Sequence, residues 1–186
     1  MAKIIADYEF DYQLSFSNCL NFDKDKIEEM IHHYYQFPDN DEFNPAESYA
    51  VLLIRNLIRF VGDDFRLSGR LEKLPSLPDM EEITQNITGD LTGNTAIIGY
   101  KNFLNLFANR YACEALGGDD EYIVAALQDF LNLHNGLFSV NLSADHDLEV
   151  ELAPAEVYAA DIDNLAYQYI LPIEFTFGTV YFCFNI

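Results

Sequence analysis

The stretch DDEYIVAALQDFLNLHNGLF, residues 119–138, carries two separate messages on one helix. Ile123, Ala126, Leu127, Phe130, His134 and Leu137 recur at i, i+3, i+4 and i+7, which is the stripe of an amphipathic helix packed on a core. Asp119, Asp120 and Glu121 open it, where acids suit the positive end of the peptide dipoles. Gly117-Gly118 close the helix before it. The other stripe is Ala125, Gln128, Asp129, Asn132, Asn135, Gly136 and Ser139. Residues three and four apart are neighbours on one face, so a carboxylate and carboxamides line up between two small residues. Ala125 and Gly136 would let a second surface come close. An ordinary solvated face accounts for the same pattern.

Working outward, Lys101 to Leu116 reads as a helix with Leu104, Phe107, Ala108, Tyr111 and Ala115 on one side. Before it, Asn94 to Tyr100 is strand-like and follows turns at Gly89 and Gly93. Leu148, Val150 and Leu152 alternate with Glu149 and Glu151 in a strand closed by Pro154. Residues 168–186 form a hairpin turning near Gly178, and the 93–100 and 178–186 segments are loosely alike. Toward the N-terminus, Asn44-Pro45-Ala46-Glu47 is a capping box that opens a helix to about Val61, stopped by Gly62. A short strand at 65–71 and a loop at 72–80 with Pro75 and Pro78 follow. Asp23 caps a helix to about Gln36, ended by Pro38. Tyr8, Phe10, Tyr12, Leu14 and Phe16 alternate with polar residues in a half-buried strand.

The chain has 186 residues, half of them apolar, which suits a single domain that buries its core without disulfides. Ten Lys and Arg stand against 31 Asp and Glu, a formal charge of −21 that repels phosphate backbones and anionic lipid. Nucleic acid and membrane are therefore poor partners. Cys19, Cys113 and Cys183 are odd in number and widely spaced, which fits a reducing compartment. The N-terminus lacks the pattern of a signal peptide, and no apolar run is long enough to span a bilayer. These features predict a cytoplasmic protein. His32 and His33 are adjacent and point apart, His134 lies on the apolar stripe as a core histidine, and Asp145-His146-Asp147 reads as a solvated turn rather than a metal site. Gly89 and Gly93 lack the ending of a phosphate loop.

Five segments in order, LLIRNLIRFV (52–61), TGDLTGNTAI (88–97), DFLNLHNGLF (129–138), ELAP (151–154) and LPIEFTFGTVYF (171–182), resemble the CheX branch of the CheC/CheX/FliY phosphatases. The resemblance runs from about Ala50 onward. The family's E-x-x-N helix motif, with a proline some twenty-odd residues later, is matched by Asp129, Asn132 and Pro154. Asp129 stands where the family has Glu, and Ala125 where an Asp or Ser is often found. The resemblance implies an α+β fold: an antiparallel sheet with two long helices packed on it, plus an extra N-terminal strand and helix in an extension over about 1–44. It implies phosphatase activity on the phosphoaspartate of a receiver (CheY-like) domain, with Asp129 and Asn132 in the catalytic contact and Ala125, Gln128, Asn135 and Gly136 facing the partner. It implies no cofactor on this chain, Mg²⁺ being carried by the receiver. A CheX-like adaptor that binds receivers without turnover is the alternative.

Because both faces of Val180 to Ile186 are apolar, that strand must be covered or paired, which together with the resemblance predicts a homodimer.

Overall fold

The computed structural model describes residues 24–35, 37, 43–75, 79–117, 120–161 and 166–186. The expected strand at 8–16 and the Asp23 cap lie outside the described residues, as do Gln36 and Pro38.

Chain order is α1 (Lys24–Tyr35), α2 (Pro45–Phe60), β1 (Phe65–Leu67), β2 (Met80–Gly89), β3 (Gly93–Tyr100), α3 (Lys101–Ala112), α4 (Asp120–His146), β4 (Val150–Leu152), β5 (Glu156–Ala159), β6 (Tyr169–Phe175) and β7 (Gly178–Asn185). The strands make one antiparallel sheet in the order β1-β6-β7-β3-β2-β4, with β5 also pairing along β2. Two hairpins, β2–β3 and β6–β7, form its centre, and β3 and β7 pair to join them. The architecture is thus the expected α+β one, with the extra helix α1 present before it.

Local chemistry explains the helix ends. Asn44 Oδ1 accepts from the backbone N–H of Ala46 at 3.1 Å and of Glu47 at 3.2 Å, and Pro45 occupies the first helical position. The reciprocal half of the box is absent, because Glu47 turns instead to His32 Nδ1 at 2.9 Å. Helix α3 stops at Ala112, short of the expected Leu116. Cys113 takes a left-handed conformation with φ 55°, and Asn109 Oδ1 accepts from Leu116 N at 2.8 Å, turning the chain away. Helix α4 runs to His146, well past the expected Phe138, because Phe138 and Leu142 continue the buried stripe.

The helices lie on one side of the sheet. Phe107 of α3, Phe130 of α4 and Phe182 of β7 meet at centroid distances of 5.1–6.2 Å. Helix α2 lies between α1 and α4 and reaches the sheet through Tyr49, whose ring is 4.7 Å from that of Phe184. The other face of the sheet carries Met80, Ala96, Ile98, Ile170, Tyr181 and Cys183, covered by Leu71, Leu74 and Tyr167. Strand β7 is therefore interior and covered on both faces within one chain. The expectation of a second copy rested partly on that strand needing to be covered or paired, and the chain itself meets that need.

Candidate functional site

Asp129 and Asn132 stand side by side on the exposed face of α4. Leu127 and Phe130, on the opposite stripe, are buried at 1% and 0% exposure. The period of the helix thus delivers the pair to solvent. Each is also held from the side. Asp129 Oδ2 accepts from the Tyr111 hydroxyl at 2.6 Å, and the Tyr111 ring packs edge-on against Phe130 at 5.3 Å. Burial, and then the bond to Asp129, hold the Tyr111 phenol well above its usual pKa, so it stays a donor. The neighbouring Arg110 is committed elsewhere: it bonds Asp64 and Thr176 and holds the Asp64 carboxyl below its usual range.

On the other side of α4, Gln85 of β2 reaches between strand and helix. Its Nε2 donates to Asn132 Oδ1 at 2.5 Å and to the Ala153 carbonyl at 2.6 Å. Gln128 Nε2 donates to the Ala155 carbonyl at 2.7 Å. Exposed Pro154 is therefore flanked by two carbonyls, those of Ala153 and Ala155, tied to the site. Ala125 is exposed, and a Cβ added to Gly136 would meet nothing within 4 Å, so both flanks are open as expected. Tyr122 and Val140, 64% and 62% exposed, extend the same face with apolar surface.

One residue of the expected polar face is elsewhere. Asn135 is fully buried and cannot meet a partner directly. Its Oδ1 accepts from the Tyr49 hydroxyl at 2.8 Å, and its Nδ2 donates to Gln85 Oε1 at 2.7 Å and to Thr95 Oγ1 at 2.8 Å. Buried partners on α2, β2 and β3 draw the amide inward, where every polar atom needs a partner. Gln128, by its bond to Ala155, is half-buried and serves as a clamp on the β4–β5 segment.

His134 is the buried core residue expected. Asn56 Nδ2 bonds its Nδ1 at 2.9 Å, and burial lowers its pKa to about 3. Because a neutral ring accepting at Nδ1 must carry its proton on Nε2, that N–H is the one left without a hydrogen-bond partner among the described residues. The His134 and Tyr49 rings pack edge-on, with centroids 4.3 Å apart. Asp145 and His146 are the last turn of α4 rather than a loop, and His146 stacks on Phe43 at 3.5 Å. Among the described residues, no group of three or more His, Cys, Asp or Glu comes together in a way that could hold a metal ion. Among the same residues, no helix is long and apolar enough to cross a membrane.

Gln85, Tyr111, Tyr49 and Thr95 complete the site, and the sequence reading gave none of them a part in it. A signal existed for Gln85: it alternates with Ile83 and Ile87, the pattern of an inward-facing strand position. Tyr111 was legible only as part of an apolar stripe, and Tyr49 and Thr95 offered no signal.

No protein-family model matches the chain, and no curated protein does. Solved structures do. CheX of Borrelia burgdorferi, determined in a complex with CheY, BeF₃ and Mg²⁺, is 17% identical with a TM-score of 0.59, covering 78% of this chain and 100% of that one. A CheC-like superfamily protein from Shewanella sp. PV-4 is 18% identical with a TM-score of 0.59, covering 77% and 100%. CheX from Desulfovibrio desulfuricans is 16% identical with a TM-score of 0.57, covering 77% and 100%. At such identities the likeness is one of fold, and function has to be argued from the site. The chain has the CheX/CheC-type fold.

Proposed function

We propose that this chain docks a phosphorylated receiver domain on the exposed face of α4 and hydrolyses its phosphoaspartate. The observation that carries the reading is the paired exposure of Asp129 and Asn132, one turn apart and each held by a hydrogen bond from a neighbouring element. The complex of the Borrelia CheX with CheY supports a receiver as the partner class. In this reading the whole chain is one domain, with about 1–44 as its extension.

An aspartyl phosphate is an acyl phosphate, already activated, and the receiver supplies the Mg²⁺ that its phosphoryl group needs. What remains is positioning. An amide held over the phosphoryl group aligns the attacking water and the oxygens that gather charge. Asn132 fills that role. A carboxylate one turn away would repel the dianion, so Asp129 is the docking group, pairing with a lysine of the receiver. The polar pair sits within apolar surface from Tyr122 and Val140, which a docking partner would cover.

A second reading, a receiver-binding adaptor without turnover, is favoured by one feature: Asp129 is short and already bonded to Tyr111. Following label loss from a radiolabelled phosphoreceiver separates the two. The phosphatase accelerates decay, and Asn132→Ala abolishes the acceleration while affinity stays within about threefold, because a positioning amide acts mainly in the transition state. Binding by the wild type without acceleration would establish the adaptor, and no binding would overturn both.

A further inference from the structure

The amides around Asn132 form a directed chain whose polarity is set at both ends. The Ala153 carbonyl can only accept, so the end of Gln85 facing it, 2.6 Å away, is the amino end. That same amino group meets Asn132 at 2.5 Å, so the Asn132 atom facing Gln85 is its oxygen. At the other end, Tyr49 donates to Asn135 Oδ1, and Asn135 Nδ2 then donates to Gln85 Oε1 and Thr95 Oγ1. Thr95 gives its own proton to the Gln85 backbone carbonyl at 3.3 Å, which leaves its oxygen free to accept. Both amino protons of Gln85 and both of Asn135 therefore have acceptors. Gln85 is 2% exposed, Asn135 and Thr95 0%, and Tyr49 3%. None of these groups can turn without burying an unsatisfied polar atom.

From this we infer that Gln85, Asn135, Tyr49 and Thr95 are positioning residues that fix the orientation of the Asn132 amide, oxygen inward and amino group outward. The inference rests on reading Asn132 as the phosphoryl-facing residue, and it deepens that reading. Asn132 meets the partner as a hydrogen-bond donor, its N–H aimed at a phosphoryl oxygen, and its orientation is set before docking. A free surface asparagine would present either end and would lose part of its effect each time it turned. The chain of buried bonds removes that freedom, so no reorganisation is left for the moment of reaction.

Two measurements on the full chain test it. In the first, solvent exchange of side-chain amide protons is followed by NMR. The Gln85 and Asn135 amino protons exchange slowly and those of Asn132 quickly. Protected Asn132 protons beside fast-exchanging Gln85 protons would overturn the orientation, whatever the protein's activity. The second compares Gln85→Glu with Gln85→Leu. At a pH high enough to ionise this buried Glu it can only accept, so the Asn132 amide turns its amino group inward and its exchange slows. Stimulated dephosphorylation then falls on the order of 10²-fold, the cost of a missing donor, with receiver affinity unchanged. Gln85→Leu leaves Asn132 free to present either end, and its loss is smaller. A merely structural role for Gln85 predicts the reverse order, since Glu is the closer isostere, and that order would overturn the proposal. If the wild type accelerates no decay, the phosphatase reading fails, and the exchange pattern still decides the orientation.

Discussion

Asp129 reaches about 1–1.5 Å less far than a glutamate would, roughly one carbon–carbon bond. A displacement of that size costs on the order of 10²-fold when orientation is the catalytic device. The structure adds Tyr111, which fixes the short carboxylate at 2.6 Å and decides what a longer one would do. Asp129→Glu pushes the carboxylate past the phenol. If the short acid is fitted to a close-docking partner, the stimulated rate falls; a rise would mark it as a defect and strengthen the adaptor reading. Tyr111→Phe removes one hydrogen bond of about 1 kcal/mol net, so receiver affinity should drop roughly three- to tenfold with little change in the melting transition. Unchanged affinity in a titration would show that Tyr111 does not position Asp129. At this scale the sequence displayed the pair but not its holders. Spacing along one helix is visible in a string of letters, whereas Tyr111 and Gln85 approach from other elements by tertiary packing.

The helices were the legible elements, because their stripes and caps are local: Asn44 and Pro45 set the start of α2 where the pattern puts it. The strand β2 was missed, although it is the longest in the sheet. Glu82 and Gln85 point to covered faces, and Thr84 and Asn86 flank Gln85, so the alternation of apolar and polar residues is hidden. Tyr167 donates to Glu82, and Asn135 to Gln85, which makes these polar residues tolerable inside and illegible outside. The two hairpins approach closely at Gly93, where an added Cβ would lie 2.0 Å from the backbone oxygen of Asn185. Neither backbone can yield without breaking the pairing of β3 with β7. Gly93→Ala should therefore destabilise the chain by about 2 kcal/mol or more, as overpacking does, read as a lowered midpoint in urea with an unchanged slope. A midpoint within error of the wild type would mean the strands slide apart freely.

At the scale of the whole molecule, acid should expose a weakness that the net charge alone does not predict. His134 stays neutral in the fold because burial lowers its pKa to about 3, while in the unfolded chain the ring takes a proton near its ordinary 6.5. Between those values the unfolded state binds a proton that the native state refuses. Stability is unaffected by this group above the upper value and is lost as pH falls toward the lower one, by about 1.4 kcal/mol per pH unit. His134→Gln removes the effect. Unfolding free energies of wild type and variant, compared from about pH 6 to 4, should diverge from a parallel course by one proton's slope, the carboxylate background being common to both. Parallel curves would show that the buried ring titrates normally.

The seam between β3 and β7 also bears on how the chain reaches this shape. Each hairpin joins neighbours in sequence, whereas Ile98 opposite Tyr181 brings together residues about eighty positions apart. Closing so long a span costs chain entropy before any contact repays it, and pairings of this kind put folding in the slow range, about milliseconds to seconds. Tyr49, the outermost anchor of the amide chain, packs on Phe184 of β7 and is seated only once that seam has closed. This long-range pairing is thus also one on which the direction of Asn132 depends, so a chain in which it had not yet closed would carry the helix and its two polar residues before it carried their orientation.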